Sequence, residues 1–346
     1  NLNANFNNIN STYNFAYDRK FEKEGHKIIF EVDYNTFDEE ENSIFTFEGD
    51  TEGFTDYRDH VNGNRENIIA NVDYENPLSE NSKLEVGAEA RLSDTDNDYN
   101  TTSDFLNDAT YQYKRDIYSF YTTYGQNFEK WSYQVGARLE NFSVDAIYNG
   151  ENVFNDDYFN IYPSGFLNFT PNETNSYQLS YSRRVDRPGF GQVSPIREIS
   201  TPRLTVSGNP ELDPQFTNSL EFNYTRKFTK KGSLTAGVFF RNINDEISQV
   251  LELGTNYKFT DWWSTNTNFE LYSQRLKGVV GTEYLETDNT AWTFRTNHSF
   301  KATDKLTFQL FGFYRSKAKN LQMDMDPMYF MNLGGRYTFL DDKATL

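Results

Sequence analysis

The side chains that could carry catalysis or bind a metal are few, and their spacing does not suit either task. The three histidines, His26, His60 and His298, lie in separate stretches without a second histidine or carboxylate at a metal-ligand spacing. Asp59 and His60 are adjacent, so an extended backbone would direct them to opposite faces. The chain has no cysteine, no Gly-rich phosphate loop and no nucleophile elbow. We therefore predict no enzyme activity, no metal site and no cofactor.

One acidic triplet imitates the start of a calcium loop. Asp94, Asp96 and Asp98 have the right spacing, but Tyr99 stands at the sixth position instead of glycine. Phe105 stands at the twelfth position, where a bidentate glutamate is required. We interpret the triplet as part of an acidic loop.

The charged residues that remain of interest lie inside segments with a period of two. Between Trp131 and Glu140, apolar residues alternate with small or polar ones, and Arg138 and Glu140 belong to the polar set. Glu221 holds the same kind of position between Leu220 and Phe222. Successive side chains of a strand point to opposite faces, so each segment predicts a strand with one apolar and one polar face.

The composition favours a membrane barrel built from such strands. The 346 residues carry a net charge of −18 and are only 36% hydrophobic, yet 17% are aromatic. No stretch approaches the roughly 20 apolar residues of a spanning helix. Low hydropathy with many aromatics is typical of an all-β, transmembrane antiparallel up-and-down β-barrel, with apolar side chains toward lipid and polar ones toward the lumen. A soluble propeller or sandwich is the alternative. The acidic balance argues against nucleic acid as a partner.

Two kinds of connection alternate along the chain, as in barrels with short periplasmic turns and long extracellular loops. The short ones are predicted at Glu22–Gly25, Pro77–Ser82, Asn127–Lys130, Pro171–Thr174, Thr229–Gly232, Thr260–Trp262, Lys301–Asp304 and Leu340–Lys343. The long ones are predicted at Asn35–Asn67, Ser93–Tyr113, Ala146–Asn160, Arg183–Asn218, Ser273–Asn289 and Ser316–Pro327. Aromatic residues such as Trp131, Phe169, Trp262 and Phe300 flank the short turns, which predicts an interfacial belt.

The turns separate about fifteen complete strands, and the last turn leads only into Ala344–Leu346. Bacterial single-chain barrels have an even strand number, and unpaired edges in lipid are costly. We therefore expect residues 1–346 to be one partial barrel domain. Either this chain is a fragment of a longer one, or the barrel closes with strands of another chain. A strand boundary is also expected between Val250 and Leu251, where no loop signal appears.

The stretch from Tyr181 to Leu220 resembles the C-terminal barrel region of TonB-dependent outer-membrane receptors, particularly the Bacteroidota outer membrane protein β-barrel group. That family has Tyr-Ser-x-Arg, then Arg-Pro, a loop, and Gly-Asn-Pro-x-Leu-x-Pro before the next strand. Gln215 stands where the family often has glutamate. The matching residues are Tyr181, Ser182, Arg184, Arg187, Pro188, Gly208, Asn209, Pro210, Leu212 and Pro214. The stretch Tyr257–Trp263 is also similar, and the resemblance spans essentially the whole chain.

The resemblance implies a 22-stranded barrel filled by an N-terminal plug, of which this chain would supply roughly strands 6 to 20. It implies as partners the plug, the TonB energy-transducing complex and the lipid of the bacterial outer membrane. Side chains on the lumenal face are then candidates for contact with a ligand or the plug: Arg184, Ser182, Arg187, Arg138, Glu140 and Glu221. Pro188, Gly208, Asn209, Pro210, Leu212 and Pro214 are expected to shape the loop, and these motif residues could also be purely architectural.

Two functions follow from these expectations. The first is import of a scarce solute through the plugged barrel, driven from the periplasm. The alternative is a barrel that transports nothing and serves as a structural or assembly partner for a surface lipoprotein or secretion machinery, through loop aromatics such as Phe45, Phe47, Phe54 and Tyr57. The acidic exterior favours a neutral glycan, a peptide or a cationic ligand over an anionic chelate.

Overall fold

The computed structural model describes residues 2–47, 55–201, 204–243, 246–280, 283–339 and 344–345. Twenty strands and one short helix, α1, make up these parts. In chain order they are β1 (Leu2–Lys20), β2 (Lys27–Phe45), β3 (Tyr57–Ser79), β4 (Ser82–Thr101), β5 (Ala109–Asn127), β6 (Trp131–Tyr148), β7 (Glu151–Asn172), β8 (Asn175–Asp186), α1 (Phe190–Val193), β9 (Glu198–Thr201), β10 (Leu204–Val206), β11 (Gln215–Phe228), β12 (Gly232–Ile243), β13 (Glu246–Lys258), β14 (Trp263–Val280), β15 (Glu283–Lys301), β16 (Leu306–Arg315), β17 (Ala318–Lys319), β18 (Asp324–Met325), β19 (Met328–Phe339) and β20 (Ala344–Thr345).

Sixteen of these strands form a single sheet in sequence order, from β1 through β8, then β11 to β16, β19 and β20. Each strand with a described register is antiparallel to its neighbour. This is the predicted up-and-down arrangement, with fifteen long strands and a two-residue β20. The two small sheets, β9 with β10 and β17 with β18, belong to the connections.

The predicted long connections are mostly shorter than expected, because the strands run on into them. β2 continues to Phe45 and β3 starts at Tyr57, so the prediction of a loop over Asn35–Asn67 is wrong for most of its length. The same holds for Ser93–Tyr113. Between β6 and β7 the chain reverses in two residues, Asn149 and Gly150, both with positive φ. Positive φ at both central residues is the geometry of a tight hairpin turn.

Two further predictions are wrong because strands continue through the residues where a connection was expected. β14 and β15 fill nearly all of the predicted loop Ser273–Asn289. The boundary expected between Val250 and Leu251 is also wrong, since both lie inside β13 and β12 ends at Ile243. Polar residues and carboxylates are poor strand formers in general, yet neighbouring strands supply the ladder hydrogen bonds that hold them extended.

The two faces of the strands differ as the alternation predicts. On β11, Leu220 and Phe222 are 48% and 45% exposed, while Ser219 on the other face is buried. On β6, Trp131 and Val135 are exposed, and Glu140 on the opposite face is buried. Large exposed apolar side chains that alternate with polar ones along a strand are the arrangement that lipid on one side requires. We call the two sides of the sheet the apolar face and the polar face.

Aromatic rings line the short-turn ends of the strands. Trp131 stacks on Phe169 at 4.2 Å between ring centroids, and Phe259 stacks on Trp263 at 4.1 Å. Tyr177 joins the first group and Phe300 the second. This confirms the predicted aromatic belt, in which the tryptophan and tyrosine rings offer an apolar body to lipid and a polar N–H or O–H to water.

The chain divides into two compact units, which are described separately. The first comprises Asn1–Gly125, Gly136–Tyr162 and Asp186–Pro214, and the second comprises Gln126–Val135, Pro163–Val185 and Gln215–Leu346. The first contains a buried cluster on its polar face. Its members are Tyr57, Tyr99, Leu106, Ala109, Tyr111, Tyr113, Ile117, Phe142, Val144, Ala146, Val193 and Ile196. Within the described ranges, none of the helical residues forms a segment long and apolar enough to span a bilayer.

Candidate functional site

A set of buried charges lies on the polar face of the first unit. β6 places Arg138 and Glu140 two residues apart, so both side chains leave the strand on the same side. The Nε of Arg138 donates to Glu140 Oε2 at 3.2 Å. Arg187, which directly follows β8, donates from Nη2 to the other oxygen, Glu140 Oε1. Glu140 is only 5% exposed, so the two guanidinium groups replace the water that its charge would otherwise need.

The network extends across neighbouring strands. Nη2 of Arg138 donates to Glu89 Oε1 on β4 at 2.5 Å and to the hydroxyl of Ser119 on β5 at 2.6 Å. Arg91 also pairs with Glu89, at 2.8 Å. Further along the same face, the hydroxyl of Tyr121 donates to a carboxylate oxygen of Asp73. The network therefore joins side chains of three strands, β4, β5 and β6, with Arg187 directly after β8.

Arg187 is the member of this network that connects the sheet to a loop. Its guanidinium lies 4.6 Å from the ring centroid of Phe142, and it donates to the hydroxyls of Tyr158 at 3.2 Å and Tyr162 at 3.4 Å. The side chain is 13% exposed. A guanidinium is weakly hydrated, stacks on aromatic faces and bonds carboxylates, and this site uses all three properties.

The connection between β8 and β11 folds onto the polar face beyond Arg187. The ring of Phe190 in α1 lies 5.6 Å from that of Tyr111. The hydroxyl of Tyr111 donates to the carbonyl of Val193 at 3.1 Å, and both residues are buried. The guanidinium of Arg65 on β3 lies 5.9 Å from the Phe190 ring centroid. We call residues 187–214 the inward loop.

The predicted Gly-Asn-Pro motif closes the inward loop on itself. The amide of Gly208 donates to the Ser194 carbonyl at 2.7 Å, and the amide of Asn209 donates to the Gln192 carbonyl at 2.8 Å. A Cβ at position 208 would lie 2.6 Å from both of those oxygens, so only glycine permits the approach. The Asn209 side chain also accepts from the amide of Glu211 at 3.0 Å, forming a local turn.

The prolines and the leucine of the motif lie around this turn. Pro188 and Pro210 are half-buried. Pro188 precedes α1, and Pro210 follows the Gly208 and Asn209 amides that bond to the α1 region. Leu212 is exposed, and its amide donates to the Asn209 carbonyl at 3.2 Å. Pro214 is the last residue before β11. Proline fixes φ and provides no N–H, so these positions stiffen the chain where it leaves and re-enters the sheet.

The remaining candidates lie in the second unit. Ser182 is directly opposite Ser164 in the β7–β8 register, and Arg184 is exposed two residues further on. Glu221 accepts from the Ser219 hydroxyl at 2.9 Å and lies 3.7 Å from Arg241. Of the six predicted charged or polar candidates, the structure thus joins three, Arg138, Glu140 and Arg187, in one network.

Asp59 and His60, which were considered for catalysis, point to opposite faces of β3. Asp59 accepts from the Thr101 hydroxyl at 2.7 Å, whereas His60 Nδ1 lies 2.9 Å from Asn42 Oδ1, on the opposite face of β3. Asp94, Asp96 and Asp98 lie within β4 rather than in a loop, which corrects the sequence interpretation. Across the described residues, no group of three metal-binding side chains could hold an ion.

Asp59 lies near the start of the 23-residue β3, at the end that extends beyond the bilayer, because about 9–11 residues of a strand suffice to cross it. Burial raises the pKa of the Asp59 carboxyl above its ordinary value, and the hydrogen bond from Thr101 opposes that shift. Burial likewise raises the pKa of Tyr57 to about 12, so its hydroxyl keeps its proton at neutral pH. Tyr57 is 2% exposed and stacks on Phe45 at 4.5 Å. This part of the polar face is a packed interior.

Sequence reasoning missed the partners of the network. Glu89, Ser119, Tyr158 and Tyr162 were not singled out from the sequence. Each has the parity of a polar-face residue, and that was the available signal. Which of them meet depends on the stagger between strands, and no single strand contains that information.

The comparisons with known proteins agree with this geometry. A model of the outer membrane protein β-barrel family matches residues 19–251 and 239–346. The chain belongs to this family. It therefore resides in the bacterial outer membrane and crosses it with strands, the apolar face toward lipid and the polar face toward the lumen. No curated protein matches it in sequence.

Several solved structures share the fold. The copper transporter OprC matches with a TM-score of 0.67 and 13% identity over 95% of this chain and 58% of its own. The siderophore receptor PiuA from Acinetobacter baumannii matches with a TM-score of 0.64, 13% identity and the same coverages. The ferric-catecholate import receptor Fiu from E. coli K12 matches with a TM-score of 0.63 and 11% identity over 96% of this chain and 58% of its own. The chain thus spans a little over half the length of these proteins.

Proposed function

We propose that this chain is the barrel portion of a TonB-dependent outer-membrane receptor that imports a scarce solute. The fold is shared with a siderophore receptor, a ferric-catecholate import receptor and a copper transporter. The remaining parts of the proposal, an N-terminal plug inside the barrel and coupling to the TonB complex, come from the family resemblance of the stretch Tyr181–Leu220.

The observation that supports transport best is the inward loop. A barrel that only anchors a partner has no need for a loop packed against its lumenal face. Here the contact with Glu140 fixes Arg187, the first residue of that loop, and the hydrogen bond from Tyr111 fixes Val193. In a transporter such a loop narrows the entrance and limits which solutes reach the lumen.

The proposal gives the candidate residues separate roles. Arg138, Glu140 and Arg187 are positioning residues, because their charges are already satisfied by one another. Arg184 is exposed on the lumenal side and would meet the plug or the solute. Ser182 and Glu221 would contribute hydrogen bonds on the same side.

An uptake assay tests the proposal. Cells that express the complete protein should accumulate the solute only while the proton-motive force is intact, and a protonophore should stop uptake without changing surface binding. Uptake that continues after the force has collapsed would contradict the proposal. Because the exterior is acidic, we propose neutral glycans, peptides and cationic ligands as the first solutes to screen.

The alternative, a scaffold for a surface lipoprotein, depended on aromatic rings among the loop carboxylates. Phe45 and Phe47 instead pack on Tyr57, with ring centroids 4.5 and 6.0 Å apart. Phe54 lies outside the described residues. Rings used in this packing are not free for a partner, so we favour transport. A stoichiometric lipoprotein that co-purifies, without energy-dependent uptake, would favour the scaffold.

A further inference from the structure

The hairpin tip between β11 and β12 concentrates positive charge in an otherwise acidic chain. Arg226, Lys227, Lys230 and Lys231 fall within six residues that contain no carboxylate, whereas the whole chain has a net charge of −18. All four side chains are exposed. We call this segment, residues 226–231, the basic tip.

Within the part of the chain that the structure describes, no carboxylate pairs with a residue of the basic tip. Across the described ranges, the neighbouring turns contain paired lysines: Lys258 with Asp261 at 2.6 Å and Lys301 with Asp304 at 2.7 Å. Lys230 and Lys231 form no such pair with any described residue. Glu173 lies in the adjacent turn between β7 and β8, where the Thr174 carbonyl accepts from the amide of Lys227 at 2.7 Å, but Glu173 makes no ion pair with a described residue.

The basic tip lies beside the aromatic belt. The guanidinium of Arg226 is 5.4 Å from the ring centroid of Phe228, and Phe228 contacts Tyr257 at 5.6 Å. Tyr257 continues through Phe259 to Trp263. Such belts lie at the level of lipid headgroups, and short turns lie on the periplasmic side. The cations therefore emerge at the depth where phospholipid phosphates begin.

We propose that the basic tip binds the headgroup of an anionic phospholipid in the periplasmic leaflet. Phosphate oxygens accept hydrogen bonds from lysine and arginine, and these bonds are strengthened by charge. We favour a lipid over an acidic protein segment as the occupant, because the rings of the aromatic belt contact acyl chains beside the basic tip. The proposal is independent of the solute and of transport.

Tryptophan quenching by brominated lipids can test this. The chain has four tryptophans, Trp131, Trp262, Trp263 and Trp292. Replacing Trp131 and Trp292 by phenylalanine leaves two reporters in the belt that contains the basic tip. At equal mole fraction in phosphatidylcholine vesicles, brominated phosphatidylglycerol should quench these reporters more strongly than brominated phosphatidylcholine. High salt should reduce the difference.

The test variant combines Lys230→Asn with Lys231→Gln. Lys230 has a φ of 60°, a conformation that asparagine tolerates, so the hairpin is retained. A charge at an anionic membrane surface contributes about 1 kcal/mol, so we expect a roughly fivefold loss of relative phosphatidylglycerol affinity for each lysine removed. The matched control removes Lys317 and Lys319 by glutamine substitution at the opposite end of the sheet, and its lipid preference should not change.

Two outcomes would overturn the proposal. One is equal quenching by the two brominated lipids in the parent protein. The other is a phosphatidylglycerol preference that the tip variant keeps in full, or that the control loses equally. A preference lost only in the tip variant supports the proposal.

Discussion

Neutralising Glu140 should destabilise the protein more than neutralising any comparable carboxylate. In Glu140→Gln the side-chain volume is kept, but two guanidinium groups lose their common counter-charge, and one of them, Arg187, is 13% exposed. Removing one partner of a buried ion pair costs about 3–5 kcal/mol. Because glutamine still accepts one hydrogen bond, we expect about 3 kcal/mol less free energy of unfolding.

Urea unfolding in phospholipid vesicles, followed by tryptophan fluorescence, measures this loss. The matched control is Glu221→Gln, since Glu221 lies 3.7 Å from Arg241 and both side chains are more exposed. An exposed pair of this kind contributes at most about 1 kcal/mol. In the double variant Glu140→Gln/Arg187→Gln, part of the loss should be recovered, with a coupling free energy of roughly 2 kcal/mol. Two results would refute the reasoning. One is an equal loss of free energy of unfolding in Glu140→Gln and Glu221→Gln. The other is that the separate losses of Glu140→Gln and Arg187→Gln add up fully in the double variant.

The other predictions concern the inward loop and Asp59. Gly208→Ala should expose the inward loop to protease and amide exchange while the sheet stays folded, because its Cβ would meet two carbonyl oxygens at 2.6 Å; Gly191→Ala, where the Cβ meets open space, is the control and should change nothing. Asp59→Asn should stabilise the protein at neutral pH relative to acid. Because the pKa of Asp59 is raised in the folded state, its charged carboxylate lowers the free energy of unfolding at high pH. This loss of stability disappears as the pH falls through the native pKa toward the ordinary value of an aspartate. A stability difference between Asp59→Asn and the parent that does not vary with pH would disprove this assignment.

The sequence was sufficient to predict the architecture. The period of two between Trp131 and Glu140 depends only on which face a side chain takes, and the structure confirms it. The positions of the short turns in the described ranges also followed from local chemistry, as did the rings beside them, such as Trp131 and Phe169. The predicted turn Leu340–Lys343 lies outside the described residues. These signals are local, so one sequence contains them.

The ends of the strands and the meeting of the charges could not be predicted in the same way. The carboxylates of Asp38 to Glu41 suggest a loop, yet β1 and β3 pair with that segment and hold it extended. Arg138 and Glu140 were found by parity, but their contact with Arg187 depends on strand stagger and on the course of a loop of nearly thirty residues. Tertiary context decides both, and no window of the sequence contains it.

Single-cysteine scanning along β11 tests the central claim most directly, because the chain contains no other cysteine. Cysteines would replace Leu220, Glu221, Phe222 and Asn223 in turn, in protein reconstituted into vesicles. A water-soluble thiol reagent should label positions 221 and 223 and spare positions 220 and 222, whose spin-labelled forms should instead be relaxed by oxygen dissolved in the lipid. Uniform labelling of all four positions, or labelling without a period of two, would contradict the assignment of one face to lipid and the other to water.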